Sequence, residues 1–124
     1  MNVVELVQEW LSSEGYRPEI DGDGDLRFKV EGISFYCTKN GTDNQYFRII
    51  LPNVYTVENN RAKVLEVANK ISMEYKVLKA YVIEENLWLS IEMLIDSTPE
   101  VGDFMPRCIA TLQSGLRDVI SELY

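Results

Sequence analysis

The amino-acid sequence predicts an α+β domain with the element order α-β-β-β-α-β-β-α, in which an antiparallel five-stranded sheet is packed with helices. The first observation behind this prediction is that apolar residues recur at helical spacing in three segments and at every second position in five others. The second is that short turns join the strands within each block, which favours antiparallel neighbours. A length of 124 residues, 46% of them hydrophobic and 26% charged, predicts a single domain over residues 1–124.

The first predicted helix begins near the amino terminus and ends before Gly15, a residue suited to the left-handed position past a helix end. Glu5 and Glu9 lie in its early turns, where the helix dipole favours negative charge. Its apolar face comprises Val3, Leu6, Val7, Trp10 and Leu11.

Three strands follow. Leu26–Val30 and Ile33–Cys37 alternate apolar and polar residues, and only Glu31 and Gly32 separate them. Gly32 can adopt the positive φ that such a tight hairpin needs. Tyr46–Leu51 is the third strand, and we expect Pro52 to end it because proline cannot donate to a ladder.

The period becomes helical again between Glu58 and Tyr75, with Asn59 or Asn60 as the N-cap. The remaining two strands are predicted at residues 77–83 and 87–95, joined by a short polar turn at residues 84–86. In the fourth strand both faces are apolar, so alternation leaves open which of them points to the core.

The last helix is indicated by Asp103 as its cap and by Pro106 in its first turn, where a missing N–H is tolerated. Its apolar stripe consists of Met105, Ile109, Leu112, Leu116, Val119, Ile120 and Leu123.

Charge excludes several partners. Twenty acidic and twelve basic residues give a net charge of −8, which repels phosphate backbones and anionic membrane surfaces. The basic residues form no stripe along the sequence. We therefore expect no nucleic-acid and no membrane partner, and the negative charge could attract a basic partner.

The chain has no histidine, the commonest general base and metal ligand. No glycine pattern matches a phosphate-binding loop. The paired carboxylates Glu84 and Glu85 lie in a predicted turn, where charged residues are ordinary. We predict that the protein is not an enzyme, with no catalytic residues, no cofactor and no metal site.

The motif Asp21-Gly-Asp23-Gly-Asp25 is similar to a calcium loop, since Ca²⁺ prefers several carboxylate oxygens at alternate positions. The required turn glycine is replaced by Leu26, and the bidentate acid position is occupied by Gly32. The motif is therefore interpreted as a solvated turn that leads into a strand.

The two cysteines, Cys37 and Cys108, fall at apolar-face positions of a predicted strand and a predicted helix. Buried thiols are the favoured interpretation, and a disulfide between them is the alternative. The amino terminus has neither a basic segment nor a long apolar run, so we expect a cytoplasmic protein.

Alternation predicts large apolar residues on the sheet face away from the core. These candidate partner-binding residues are Trp88, Tyr36, Tyr46, Ile50 and Leu94. Aromatic residues on a half-exposed face are typical of recognition surfaces, and homodimerisation is one use of such a surface. The alternatives are that a helix covers this face or that the exposure of these residues has no function.

The element order resembles the fold of type III secretion chaperones, and most closely its YbjN-like branch of bacterial sensory transduction regulators. Three stretches carry the resemblance, at residues 23–35, 47–52 and 68–71, the first being an acidic-glycine turn that leads into the hairpin segment Phe-Lys-Val-Glu-Gly. The resemblance implies a sheet with helices against it, frequent dimerisation and no catalytic residues. It also implies that an extended partner segment is held in apolar pockets and at strand edges.

We therefore predict a non-enzymatic protein-interaction module, a regulator or chaperone-like protein that binds a partner polypeptide on its sheet face and edge and forms a homodimer. The alternative is a small-molecule-sensing domain with a pocket between helices and sheet.

Overall fold

The structure, a computed structural model, describes every residue from 1 to 124. It is an α+β fold with three α-helices and one antiparallel sheet. The elements are α1 (Val3–Ser13), β1 (Glu19–Ile20), β2 (Leu26–Val30), β3 (Ile33–Cys37), β4 (Tyr46–Thr56), α2 (Arg61–Glu74), β5 (Leu78–Ile83), β6 (Asn86–Leu94), a short 3-10 helix (Val101–Asp103) and α3 (Met105–Leu123).

The sheet has six strands in the order β1-β2-β3-β4-β6-β5, so the predicted class is confirmed and the predicted count of five strands is wrong. The additional strand is β1, whose two residues pair with Arg27 and Leu26 of β2. Two residues are too few to show an alternating pattern, so this strand left no periodic signal in the sequence.

The β2–β3 hairpin is confirmed, with Glu31 and Gly32 both at positive φ. The expectation that Pro52 ends the third predicted strand is wrong, because β4 continues to Thr56. The pairing of β4 with β6 shifts in register between Leu51 and Tyr55, and Pro52 lies in that irregularity. There its missing N–H removes no ladder hydrogen bond.

The helix starts agree with prediction in part. Asn60 is at the N-cap position of α2, as predicted, but its side chain accepts a hydrogen bond from the Glu58 N–H and donates to the Tyr55 hydroxyl and makes no capping bond to the helix. Asp103 lies in the 3-10 helix, and the residue before α3 is Phe104. Pro106 is in the first turn of α3, as predicted.

The helices pack on one face of the sheet. Their buried side chains form one hydrophobic cluster of 26 residues with the inward-facing strand residues, among them Phe28, Phe35 and Phe47. Gly115 lets α3 approach closely, since a Cβ at that position would lie 2.8 Å from Leu78 Cδ2. This contact also shows which face of the fourth predicted strand, now β5, points to the core, because Leu78 lies on the buried side.

Cys37 and Cys108 are buried free thiols, as favoured from the sequence. Burial raises the pKa of Cys37 to about 12 and that of Cys108 to about 11. Both thiols are therefore protonated near neutral pH and behave as small apolar side chains.

Candidate functional site

One face of the sheet points away from the helices, and we call it the outer face. A single row of cross-strand neighbours on this face crosses all six strands, and it consists of Glu19, Arg27, Tyr36, Ile50, Ser90 and Lys79. The cluster formed by the helices and the inner face includes none of the aromatic residues of the outer face. The helices therefore leave the outer face uncovered.

All five candidate partner-binding residues predicted from the sequence lie on this face, on the strands β3, β4 and β6. Leu94 is the most exposed, with 81% of its surface accessible. Trp88, Tyr36 and Tyr46 are half-buried. Ile50 offers almost no surface, because it is only 6% exposed between its cross-strand neighbours Tyr36 and Ser90.

A polar network occupies the middle of the outer face, centred on the carboxylate of Glu92. Its Oε2 accepts hydrogen bonds from Lys79 Nζ at 2.8 Å and Ser90 Oγ at 3.0 Å, and its Oε1 accepts one from the Tyr46 hydroxyl. Arg48 Nε lies 3.9 Å from Oε1. One carboxylate is thus shared between two cations.

The pKa values of the network reflect these contacts. Partial burial alone would raise the pKa of Glu92, but the hydrogen bonds from Lys79, Tyr46 and Ser90 outweigh it and lower the pKa to about 2. Partial burial and the hydrogen bond to Glu92 raise the pKa of Tyr46 to about 12. Near neutral pH, Glu92 is ionised and Tyr46 is its protonated donor.

Tyr81 extends the network on β5. Its hydroxyl accepts a hydrogen bond from Arg48 Nη2 at 3.1 Å, and Lys79 Nζ lies 5.9 Å from its ring centroid. Its cross-strand neighbour is Trp88. These contacts fix the cations beside aromatic rings.

The sequence alone assigns no role to the charged members of this network. Arg48, Lys79 and Glu92 are far apart in the chain, and only the strand order and register bring them together. The signal available in the sequence was their alternation with core residues, which identifies the face but not the neighbours.

The last residues of β6 form a free strand edge. β5 starts at Leu78, opposite Ile91, so residues 92–94 pair with β4 on one side only. The Ile95 N–H donates to the Gln45 carbonyl at 2.9 Å, on the β4 side. By the alternation of an antiparallel ladder, the backbone groups of Glu92 and Leu94 then point the other way, toward the unoccupied position beside β6.

Val77 is the reason that β5 stops there. Its φ of +57° lies in the left-handed region, which is unfavourable for a β-branched residue. It makes no backbone hydrogen bond, and 59% of its surface is exposed. The left-handed turn directs the chain away from β6 and leaves the edge of β6 open.

A cavity of about 510 Å³ adjoins this free edge, between the end of α2, β6 and the start of α3. Its size is in the range of pockets that hold a ligand or a large side chain. The walls are mixed, with apolar and charged side chains that include Val77, Ile91, Met93, Phe104, Arg107 and Cys108.

The acidic turn has its own hydrogen bonds. Asp21 Oδ1 accepts from the N–H groups of Asp23 and Asp25, and Asp25 Oδ1 accepts from the Lys39 N–H at 2.8 Å. These contacts are those of a turn that is built from aspartates. No group of three or more potential ligand side chains lies together closely enough to hold a metal ion.

None of the three α-helices has the length and apolar character needed to cross a membrane.

Comparison with known proteins adds a family and a fold. A family model described as "T3SS (YopN, CesT) and YbjN peptide-binding chaperone 1" matches residues 2–121. The crystal structure of an uncharacterized protein from Methanothermobacter thermautotrophicus is similar, with a TM-score of 0.56 and 13% sequence identity over 96% of this chain and 92% of that chain. At this identity the likeness shows the fold alone. No curated protein shows significant sequence similarity to the chain.

Proposed function

We propose that this chain, which belongs to the family of T3SS and YbjN peptide-binding chaperones, binds an extended segment of a partner polypeptide at the free edge of β6 and across the outer face. Membership of the family confirms the resemblance stated from the sequence and supports a non-enzymatic, protein-binding role. The placement of the segment is our inference from the geometry.

The observation that carries the proposal is the free end of β6. The backbone N–H and C=O groups of Glu92 and Leu94 point toward an empty strand position, and an added strand satisfies such groups directly. A strand beside residues 92–94 would continue the line of β5. One of its side chains could then enter the cavity lined by Met93 and Phe104.

The outer face supports the same proposal. Leu94 is largely exposed, and it lies at the junction of the free edge and the outer face. Tyr46 is its cross-strand neighbour. A segment that leaves the edge at Leu94 therefore meets half-buried aromatic side chains, which are favoured at protein interfaces.

The test is a selection of displayed random peptides on the immobilised protein, followed by affinity measurements with two variants of Leu94. Leu94→Pro removes the outward N–H without removing a hydrogen bond to β4, whereas Leu94→Ala keeps the N–H and truncates the side chain. We expect selected peptides to bind Leu94→Pro about tenfold more weakly than Leu94→Ala. If the two folded variants bound the peptides with equal affinity, the edge of β6 would be excluded as the binding site. If no peptide were selected, peptide binding itself would be contradicted.

A small-molecule-sensing role is the second candidate, because the cavity of about 510 Å³ lies between helices and sheet. A ligand that binds the folded state raises the melting temperature in proportion to the logarithm of its concentration. Thermal unfolding in the presence of metabolite mixtures tests this role. A rise that is abolished when a selected peptide occupies the edge would place both ligands at the same cavity.

A further inference from the structure

The charges of the strands differ in sign from those of the rest of the molecule. All charged strand residues lie on the outer face, and they are the bases Arg27, Lys29, Arg48 and Lys79 with the acids Glu19 and Glu92. The strands thus carry a charge of +2. The remainder of the chain has eight bases against eighteen acids. The strand residues of the outer face therefore have a net positive charge on an acidic protein.

Half of this excess positive charge lies beside the aromatic residues, and Lys29 on β2 carries the other half. The pair of Arg27 with Glu19, at 3.0 Å, is neutral. At the other end of the row, Glu92 is the only carboxylate between Lys79 and Arg48, so one positive charge remains in excess. The carboxylate oxygens already accept hydrogen bonds from three side chains, which leaves little of the negative charge exposed to a partner.

A shallow depression lies at this excess charge. It is lined by Arg48, Lys79, Ala80, Tyr81 and Glu92, with a volume of about 460 Å³. The Arg48 guanidinium is oriented by its hydrogen bond to the Tyr81 hydroxyl. An oriented guanidinium beside an ammonium group is suited to binding a carboxylate.

We propose that the polypeptide segment recognised on the outer face is acidic, with aspartate or glutamate side chains that alternate with apolar ones. This inference rests on the proposed function and adds the chemistry of the partner. In an extended segment, side chains at every second position face the sheet. An acidic group over Arg48 and Lys79 then places its apolar neighbours beside Trp88 and Leu94.

The charge distribution also determines at which face such a segment associates with the protein. The acidic remainder of the molecule repels it, and the outer face attracts it, so association is directed to this face. The outer face therefore favours an acidic partner, whereas the net charge of −8 alone suggests a basic one. A basic segment would be drawn instead to the turns, the loops and the 3-10 helix, which together hold twelve acids against three bases.

The test uses three synthetic peptides about ten residues long, with identical apolar residues at alternate positions and glutamate, glutamine or lysine between them. Their affinities are measured by fluorescence anisotropy near neutral pH, at roughly 0.05 M and 0.5 M salt. We expect the glutamate peptide to bind about tenfold more tightly than the lysine peptide at low salt, and the difference to shrink at high salt.

Three variants locate the effect. Combined Arg48→Gln and Lys79→Gln substitutions remove the positive charge and should abolish the preference, whereas Glu92→Gln should strengthen it. Lys63→Gln, an exposed position on α2, makes one of the same charge changes on the other side of the molecule and should leave the preference intact.

The outcomes separate the two proposals. Peptides that bind at the Leu94 edge without regard to charge, or a preference for lysine, would overturn the acidic partner and leave peptide binding standing. If none of the three peptides bound, both the peptide-binding function and the acidic partner would be contradicted. A single-stranded oligonucleotide that binds this face more tightly than the glutamate peptide would overturn the assignment to a polypeptide.

Discussion

Lys79 and Glu92 lie on the neighbouring strands β5 and β6, with Lys79 Nζ 2.8 Å from Glu92 Oε2 on the outer face of the sheet. Lys79 is directly opposite Ser90, so the contact is diagonal and reaches one pleat beyond the paired residues. This diagonal brings Lys79 to the end of β6 that has no β5 partner. The contact therefore joins the basic depression of the outer face to the free edge.

The first prediction concerns the pH dependence of stability. The pKa of Glu92 is lowered to about 2 in the folded protein, below its value in the unfolded chain. The stabilisation by this carboxylate is then complete above about pH 5 and is lost as the pH falls through about 2. We expect Glu92→Gln to lower the free energy of unfolding near neutral pH by about 1–2 kcal/mol, and by progressively less in acid.

Urea unfolding of the wild type and Glu92→Gln between about pH 7 and pH 2 measures this difference. A difference that stays constant over the whole range would show that the carboxylate is not stabilised by its donors. Glu66→Gln, an exposed position on α2, is the matched control and should give no pH-dependent difference.

The second prediction is that Trp88 serves binding more than folding. Its side chain is half-buried on the outer face and takes no part in the core cluster. Trp88→Ser should leave a cooperative unfolding transition and weaken the binding of selected peptides by at least about tenfold. Sedimentation velocity of the same variant tests whether the outer face also joins two copies of the chain, as dimerisation through this face predicts.

Trp10 provides the comparison, because it packs against the core from α1 and lies beside Gly102. Trp10→Ser should lower the melting temperature more than Trp88→Ser does. The opposite order would mean that Trp88 is a structural residue and that the outer face is not its site of action.

The sequence was sufficient to predict the three helices and the core-facing sides of four of the five predicted strands, while the fourth strand was left open. The stripe from Val3 to Leu11 and the alternation from Leu26 to Cys37 depend on local spacing, and both correspond to observed elements. Local spacing could not show that β4 continues past Pro52. The strand continues through a bulge, and the bulge depends on how β4 pairs with β6. β1 was missed for a different reason, because its two residues are too few to show alternation.

The candidate site also has features that the sequence predicts and features that it does not. Alternation correctly assigned Ile50 to the outer face, but the burial of this residue depends on neighbouring strands. The shared carboxylate of Glu92 requires the register of three strands. The left-handed backbone of Val77 had no signal at all, since valine is among the residues least suited to that conformation.

The third prediction concerns the close approach of α3 to the sheet. A Cβ at Gly115 would lie 2.8 Å from Leu78 Cδ2 and 3.4 Å from Leu89 Cδ1. Both leucines are buried, so a large side chain has no free volume to enter. Gly115→Leu should lower the free energy of unfolding by about 2–3 kcal/mol, despite the gain in helix propensity.

Urea unfolding of Gly115→Leu and of the exposed α3 variant Ala110→Leu measures the effect of the site itself. Ala110→Leu should change stability by less than about 0.5 kcal/mol. If the two variants were equally stable, α3 would not be held against Leu78 as the structure shows.

The fourth prediction separates the strain at Val77 from its role in keeping the edge of β6 open. A β-branched residue at φ +57° costs about 1–3 kcal/mol, and glycine adopts this conformation without that cost. Val77 is exposed, so its substitution by glycine removes little buried surface. We expect Val77→Gly to raise the free energy of unfolding by about 1 kcal/mol after the entropic cost of glycine is subtracted.

Glycine can also leave the left-handed region, and β5 could then extend by pairing with Glu92 and close the edge. Hydrogen exchange of the Glu92 and Leu94 amides distinguishes the two outcomes, because these N–H groups point toward the empty position. If Val77→Gly slows their exchange and weakens peptide binding together, Val77 keeps the binding edge open at a cost in stability. Slower exchange with unchanged binding would instead show that the partner does not use this edge.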